Sequence, residues 1–227
     1  MDELTEAAED LGTAAVDPGD LQLSSRSRVC LVAMTQTGKT TLAEVLAAGF
    51  ARPAVHPRQM VLILDHKAEP ALSALVPRES PMLEETPDGW CRVVPETSDQ
   101  DEELLEAAYQ RGDVWTWIDE APELGNAQKY PAALRRLYRM GKRRNCGIAA
   151  LMQDPVEVPM VCKSQSEVFL IGQVGAPDYV EECAKMTHQD AGWMRAAMAS
   201  LPPYAFLLWT WEHGRNRRRP NLVRLEI

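Results

Sequence analysis

Nine consecutive residues in the first fifth of the chain match a sequence pattern that is typical of phosphate-binding loops. Residues 33–41 read Ala-Met-Thr-Gln-Thr-Gly-Lys-Thr-Thr and fit the P-loop pattern, except that alanine stands at position 33, where glycine is more usual. Gly38 lets the backbone approach the phosphates closely, and backbone N–H groups surround the anion together with the positive end of the following helix. We expect Lys39 to bridge the β- and γ-phosphates of ATP and the Thr40 hydroxyl to bind Mg²⁺. The predicted nucleotide-binding residues are Ala33, Met34, Thr35, Gln36, Thr37, Gly38, Lys39, Thr40 and Thr41.

Two adjacent carboxylates, Asp119 and Glu120, end the apolar run Val-Trp-Thr-Trp-Ile. On its own, an apolar run that ends in Asp-Glu is common and marks only the boundary between a strand and a loop. Together with a P-loop it predicts a Walker B motif, in which Asp119 reaches the Mg²⁺ shell and Glu120 polarises the attacking water. The second carboxylate favours an ATPase over a GTPase switch, because a group that activates water is then part of the site.

Apolar runs on either side of these motifs predict the elements that hold them. A strand leads into the P-loop, and a helix with Leu42, Val45 and Leu46 on one face leads out of it, as the motif requires. Short apolar runs alternate with helical patterns, which is typical of a parallel sheet with crossover helices. The predicted strands lie near Arg28–Ala33, Met60–Asp65, Val114–Ile118, Gly147–Met152 and Val168–Ile171. The predicted helices are Lys39–Gly49, Asp101–Gln110, Pro131–Arg143, Asp178–Met186 and Ala191–Ser200.

The end of the chain has a different pattern. Tyr204–Trp211 and Asn221–Ile227 read as two strands of a hairpin, joined by the basic turn Glu212–Pro220, whereas Pro70–Gly89 has no clear period and reads as a loop with short helical pieces. We therefore predict an α/β P-loop NTPase fold, a three-layer sandwich with a mostly parallel central sheet and a C-terminal β-hairpin. One domain spans residues 26–227, and residues 1–25 form an acidic N-terminal arm.

Composition excludes several classes of protein. The 227 residues, 45% hydrophobic and 25% charged, are typical of a soluble globular protein. No secretory signal opens the chain and no apolar run approaches the roughly 20 residues that span a bilayer, so we expect a soluble protein that is not secreted. Five scattered cysteines indicate buried free thiols, and the four dispersed histidines lack the spacing of metal ligands.

Charge is unevenly distributed along the chain. The net charge of −9 argues against a surface that is basic throughout, but it leaves room for DNA binding that is confined to one face or pore. Acidic residues are concentrated in the first 20 positions, and no lysine or arginine precedes Arg26. This segment is either a solvated arm or a docking arm for a neighbouring subunit or another protein.

Most of the chain resembles the FtsK/HerA superfamily of DNA-pumping ATPases, whose fold is RecA/FtsK-like. The second predicted strand ends Asp65-His66-Lys67, similar to the Asp-Pro-Lys of these motors, although His66 departs from the proline. A basic helix, 135–144, precedes the strand that ends in Gln153-Asp-Pro, which is similar to the family's Thr-Gln-Arg-Pro. The later stretches 168–181 and 201–206 also follow the pattern of the family.

The resemblance implies roles for several further residues. Gln153 emerges beside the Asp119 strand, where its amide would hydrogen-bond the γ-phosphate or the lytic water; the alternative is a glutamine that only caps a strand end. Arg143 and Arg144 lie where the family places an arginine finger that reaches the neighbouring subunit's ATP. Spacing favours Arg144, with Arg139 as a further candidate; the alternative is a solvated basic face at a helix C-terminus.

Partners follow from the same resemblance. A finger supplied by a neighbour requires a homo-oligomeric ring, expected to be a hexamer, with double-stranded DNA passing through its pore. The basic turn would contact DNA phosphates or would form a solvated hairpin tip; its arginines are Arg215, Arg217, Arg218 and Arg219. Capsid vertex or membrane proteins are further candidate partners.

Three functions remain in competition. The leading hypothesis is an ATP-driven translocase that packages a viral genome into a preformed capsid, similar to the packaging ATPases of tailless, membrane-containing icosahedral viruses. Such a protein is expected in the host cytoplasm or at the packaging vertex of the virion. The second hypothesis is a conjugative or plasmid DNA-transfer motor with the same chemistry. The third is an ATP-switched assembly protein that acts on protein partners and never grips DNA.

Overall fold

A computed structural model of the chain describes residues 15–16, 21, 23–50, 59–76, 79–80, 82–83, 89–212, 215–216 and 220–225. The strands are β1 (Ala15–Val16), β2 (Arg28–Val32), β3 (Met60–Asp65), β4 (Trp90–Val93), β5 (Val114–Asp119), β6 (Gly147–Met152), β7 (Val168–Ile171), β8 (Ala205–Glu212), β9 (Arg215–Asn216) and β10 (Asn221–Arg224). The α-helices are α1 (Lys39–Phe50), α2 (Pro70–Leu75), α3 (Ser98–Arg111), α4 (Ala132–Met140), α5 (Met160–Ser164), α6 (Pro177–Thr187) and α7 (Ala191–Ser200). Short 3-10 turns follow β5 and α4, at Ala121–Leu124 and Gly141–Arg144.

One sheet organises these elements. Its strand order is β1-β10-β8-β7-β2-β6-β5-β3-β4, with β9 paired to β8. The strands from β7 to β4 are parallel to one another, whereas β8 runs antiparallel to both β7 and β10. Parallel strands present their carboxyl ends at one edge of a sheet, so the loops after β2, β3, β5 and β6 meet there. The mostly parallel sheet and the C-terminal hairpin are both confirmed.

The core lies on both faces of the sheet. Strand β2 sends Val29 and Leu31 to the face covered by α1 and α2, and it sends Cys30 and Val32 to the face covered by α3–α7. Alternate residues of a strand point to opposite faces, so a strand that is covered on both sides must be apolar throughout. This three-layer arrangement explains the near-continuous apolar runs and confirms the predicted sandwich.

Some elements differ from the prediction. The predicted loop 70–89 contains the short helix α2. Strand β4, which follows it, was not predicted from the sequence, because the buried Arg92 interrupts its apolar run. Helix α3 begins earlier than predicted, at a Thr97 cap whose side chain accepts a hydrogen bond from the Gln100 N–H. The predicted helix 131–143 is α-helical only to Met140 and then tightens into the 3-10 turn.

The N-terminal arm is partly incorporated into the domain. Ala15 and Val16 form the outermost strand of the sheet and pair in parallel with Leu222 and Val223 of β10. The sequence did not predict this association. All five cysteines are buried thiols, as predicted. Within the described ranges, the helices are all too short or too polar to cross a membrane.

Candidate nucleotide-binding site

The P-loop connects β2 to α1 at the carboxyl edge of the sheet. Gly38 adopts a φ of 87°, a left-handed conformation that glycine tolerates without steric cost. The Thr37 hydroxyl donates a hydrogen bond of 2.6 Å to the Met34 carbonyl and closes the loop on itself. Lys39, the first residue of α1, is largely buried, so its ammonium is directed into the loop and away from solvent.

Ala33 is accommodated by a glycine on the neighbouring segment. Ala33 is fully buried, and its N–H donates to the Met152 carbonyl at 3.1 Å. A Cβ placed on Gly172 would lie 3.0 Å from the Ala33 Cβ, a tight contact that would require one of the two to shift by a few tenths of an ångström. The missing side chain at position 172 thus leaves the space that the alanine of this P-loop occupies.

Glu120 is the most heavily contacted carboxylate at the site. Its Oε2 lies 2.7 Å from Lys67 Nζ and 3.5 Å from Lys39 Nζ, and the side chain is 7% exposed. Burial opposes ionisation, but the two lysines outweigh it, so the pKa of Glu120 lies below its ordinary value. The residue has a φ of 68°, a conformation that is rare outside glycine and is costly unless the surroundings enforce it.

Asp119 has an oxygen that is suited to a cation. Its Oδ1 is buried and has no hydrogen-bond partner within the described part of the chain. Burial raises the pKa of Asp119 to about 6; Lys39 opposes the rise, whereas Asp65 and Glu120 add to it. An unpartnered carboxylate oxygen fits a hard divalent ion such as Mg²⁺, and the Thr40 hydroxyl lines the same cavity of about 170 Å³.

Arg92 is a residue of the site that sequence reasoning missed. Its guanidinium, 4% exposed, binds Asp65 Oδ2 through both Nε and Nη2 at 2.8 Å. Asp65 lies opposite Asp119 in the pairing of β3 with β5, so Arg92 compensates the negative charge beside Asp119. No sequence signal links the two partners, since Arg92 lies on a short strand 27 residues beyond Asp65.

His66, which replaces the proline of the resembled motif, bridges two elements. Its Nε2 lies 3.0 Å from Asp101 Oδ1 on α3, and its Nδ1 lies 3.2 Å from the Asp119 carbonyl. Burial lowers the pKa of His66, but the hydrogen bond to Asp101 overrides it, so the pKa lies above its ordinary value. The imidazole therefore ties the end of strand β5 to helix α3.

Gln153 emerges beside strand β5, as predicted, and it hydrogen-bonds both the P-loop and Glu120. The Thr35 hydroxyl donates to Gln153 Oε1 at 2.9 Å, while the backbone N–H and the Nε2 of Gln153 donate to Glu120 at 3.3 Å. The amide is half-buried at the edge of the loop cavity. A side chain that hydrogen-bonds both the P-loop and Glu120 is placed to respond to a group that binds between them.

The three candidate finger arginines lie at the opposite edge of the sheet. Arg139 is on α4, and Arg143 and Arg144 are in the 3-10 turn that precedes the amino end of β6, whereas the P-loop follows the carboxyl end of the parallel strand β2. All three side chains are exposed. Arg144 stacks over the Tyr109 ring at 5.3 Å and donates to the Gln110 carbonyl. They are not brought to the site of their own subunit.

The basic turn cannot be placed in the same way. Arg217, Arg218 and Arg219 lie outside the described residues, and only the backbone of Arg215 is described, as part of β9. Elsewhere in the described ranges there is no cluster of His, Cys, Asp and Glu that could hold a metal ion.

Several solved structures share this fold. The sequence matches no protein-family model and is similar to no curated protein. The genome packaging NTPase B204 from Sulfolobus turreted icosahedral virus 2, in complex with AMPPCP, has a TM-score of 0.65 at 17% identity over 90% of this chain and 100% of that chain. VirB4 of Thermoanaerobacter pseudethanolicus has a TM-score of 0.64 at 11% identity over 95% of this chain and 94% of that chain. The pCW3 conjugation coupling protein TcpA, with ATPgS, has a TM-score of 0.60 at 12% identity over 88% of this chain and 60% of that chain.

At these identities the similarity concerns the fold. The predicted P-loop NTPase fold is confirmed, and the predicted resemblance to FtsK/HerA-type P-loop ATPases is confirmed as a likeness of fold. One fold can support several functions, so what the protein does has to be argued from its own site.

Proposed function

We propose that this protein is an ATPase that moves double-stranded DNA, and that it packages a viral genome into a preformed capsid. The observation that carries the first part is the position of Glu120, whose carboxylate lies 3.5 Å from the P-loop lysine, Lys39. A buried carboxylate beside the lysine that holds the γ-phosphate is placed to accept a proton from the attacking water.

The residues of the site divide the chemistry between them. The backbone of residues 33–38 and the amino end of α1 surround the phosphates, and Lys39 turns from Glu120 to the β- and γ-phosphates when ATP enters. Glu120 then accepts the proton of the attacking water, which the Gln153 amide orients. This arrangement needs no covalent intermediate, since the barrier is lowered by positioning and by charge.

Thr40 and Asp119 are the residues that would hold Mg²⁺. The unpartnered Asp119 Oδ1 and the position of Thr40 in the same cavity support this assignment. When bound, the ion neutralises charge that develops on the phosphate oxygens. The raised pKa of Asp119, about 6, also fits a carboxylate whose natural partner is a cation.

An arginine from a neighbouring subunit would complete the site. Arg139, Arg143 and Arg144 lie at the edge of the sheet opposite to the P-loop of their own chain, so they can serve only a neighbour's ATP. Arg139 and Arg143 are favoured over Arg144 for this role, because Arg144 is held by Tyr109 and Gln110 of its own chain. A ring, taken to be a hexamer, would bring this edge against the next P-loop.

The DNA part of the proposal is supported by the fold and by charge. The similar fold of a viral genome packaging NTPase, over 90% of this chain, favours packaging. The arginines at positions 215 and 217–219 would neutralise DNA phosphates that pass through the pore, so binding must weaken steeply with salt. The fold similarity to a conjugation coupling protein keeps DNA transfer between cells as the second candidate.

The test is ATP hydrolysis with and without double-stranded DNA. We expect DNA to stimulate hydrolysis, Lys39→Ala to abolish nucleotide binding, and Glu120→Gln to bind ATP while hydrolysing it at least about 100-fold more slowly. DNA binding is measured at two salt concentrations in parallel. A hydrolysis rate that is unchanged by DNA, with no salt-dependent DNA binding, would overturn the DNA motor and favour an assembly protein that ATP switches.

A further inference from the structure

We propose that the exposed ring of Tyr204, backed by the buried Leu225, forms the platform on which the adenine base of the nucleotide lies. The proposal rests on the ATP binding proposed above and extends it to the nucleoside. It assigns a role to a segment that neither the P-loop nor the Walker B motif includes. The ligand is a purine nucleoside triphosphate, recognised by its flat aromatic base.

The two flanks of the P-loop are chemically different. On the β6 side the loop meets Gln153, which bonds Thr35, and beyond it lies Glu120. On the β7 side the Met34 N–H donates to the Gln173 carbonyl at 3.0 Å. Beyond that strand, the segment before β8 and the segment after β10 reach the loop at Gly38.

Tyr204 and Leu225 pack directly against Gly38. A Cβ placed on Gly38 would lie 3.3 Å from Tyr204 Cδ1 and 2.8 Å from Leu225 Cδ1. The two residues are joined to each other, because the Leu225 N–H donates to the Tyr204 carbonyl at 3.1 Å. An aromatic ring and an apolar side chain thus adjoin the phosphate loop on the flank away from Glu120.

The direction in which the triphosphate lies along the loop determines on which flank the base lies. Hydrolysis places the γ-phosphate beside Glu120 and Gln153, and the three phosphates form one continuous chain along the loop. The nucleoside must therefore leave the loop at the other flank. Tyr204 and Leu225 are the side chains that the structure places there against Gly38.

Tyr204 has the properties of a prepared stacking surface. Its side chain is 41% exposed, although it sits between the buried Leu201 and the buried strand β8. Its φ is 58°, a conformation that is costly for an aromatic residue and persists only where the surroundings enforce it. Tyrosine offers a large, rigid face at a low cost in side-chain entropy, and stacking on it tolerates any purine.

The test compares ATP with bare polyphosphate. Titration calorimetry measures the binding of ATP and of inorganic tripolyphosphate, each with Mg²⁺, to the full chain and to Tyr204→Ala, Tyr204→Gly and Tyr204→Phe. Glycine tolerates a φ of 58°, so Tyr204→Gly removes the ring and also removes the backbone strain at this position. Tyr204→Phe is the matched control, because it keeps the ring and loses only the hydroxyl. A thermal melt of each variant checks that it is folded.

We expect Tyr204→Ala and Tyr204→Gly to raise the Kd for ATP about tenfold, while tripolyphosphate binds as in the unmodified protein. Tyr204→Phe should retain the original Kd for ATP. If the unmodified protein binds ATP and the alanine and glycine variants bind it equally well, the platform is wrong and the ATPase stands. If the unmodified protein binds neither ATP nor tripolyphosphate, both the proposed function and the proposed base platform are wrong.

Discussion

Lys67 Nζ lies 2.7 Å from Glu120 Oε2, so a half-exposed lysine reaches into the site and holds the carboxylate that we propose activates water. The side chain of Lys67 is 40% exposed, whereas that of Glu120 is 7% exposed. Lys67 and Lys39 together hold the pKa of Glu120 down against the effect of burial. A carboxylate bound in this way is a weaker base than a free one, because its lone pairs are already occupied.

Lys67→Met should therefore raise the rate of ATP hydrolysis in the absence of DNA. We expect an increase of about fivefold, the equivalent in rate of the ~1 kcal/mol that a partly exposed ion pair contributes. Steady-state hydrolysis measures it, and Lys67→Arg serves as the control that keeps the charge. A fall in the rate of Lys67→Met would mean that Lys67 assists hydrolysis rather than restraining it.

The buried pair of Arg92 and Asp65 should matter for stability. Arg92→Met leaves the Asp65 carboxylate buried without a cation, which should lower the free energy of unfolding by about 3 kcal/mol or more. Urea denaturation measures the loss. The double variant Asp65→Leu with Arg92→Met should recover much of it, because no unpaired charge remains.

The exposed pair of Arg136 and Glu106 provides the comparison for that experiment. Their side chains are 45% and 32% exposed, so Arg136→Met should cost less than about 1 kcal/mol. Equal losses for Arg92→Met and Arg136→Met would contradict the assignment of Arg92 as the compensating charge of the site.

Ala33 and Gly172 should behave as a matched pair. Gly172→Ala places its new Cβ 3.0 Å from the Ala33 Cβ and 3.1 Å from Phe206 Cδ1, so we expect a loss of about 1–3 kcal/mol in the free energy of unfolding. Adding Ala33→Gly removes the first of these contacts and should restore part of the stability. Thermal and urea unfolding measure both variants. Strictly additive effects of the two substitutions would show that the residues do not share this space.

Glu167 should make stability depend on pH. It binds Arg28 at 2.7 Å and also Lys142. Although partial burial opposes ionisation, these two cations lower the pKa of Glu167 below its ordinary value. The ion pairs therefore stabilise the fold fully above the unfolded pKa of about 4.3, and their contribution is lost as the pH falls through the lower pKa of the folded state.

Glu167→Gln tests this dependence. At pH 7 we expect it to lower the free energy of unfolding by about 1 kcal/mol, and the difference from the unmodified protein should shrink below about pH 4. Urea unfolding over a pH series measures the difference. A loss that stays constant across the series would indicate a packing effect rather than an ion pair.

The sequence by itself determined the α/β class, the P-loop and the Asp119-Glu120 pair. Each of these depends on neighbours along the chain, because backbone donors at a helix start and a carboxylate at a strand end are local features. The position of Gln153 was also predictable, since its strand adjoins β5 in a parallel sheet. Strand β4 was not, because a buried arginine interrupts its apolar pattern.

Only the tertiary structure decided which distant groups meet at that site. Arg92 reaches Asp65 across paired strands, Lys67 reaches Glu120 across two loops, and Tyr204 reaches Gly38 from the far end of the chain. It also placed the candidate finger arginines at the opposite edge of the sheet. The physical reason is that the sheet brings the carboxyl ends of its parallel strands, and the amino end of the antiparallel β8, to the same side whatever their separation along the chain. Contacts made there have no period or spacing that a sequence can display.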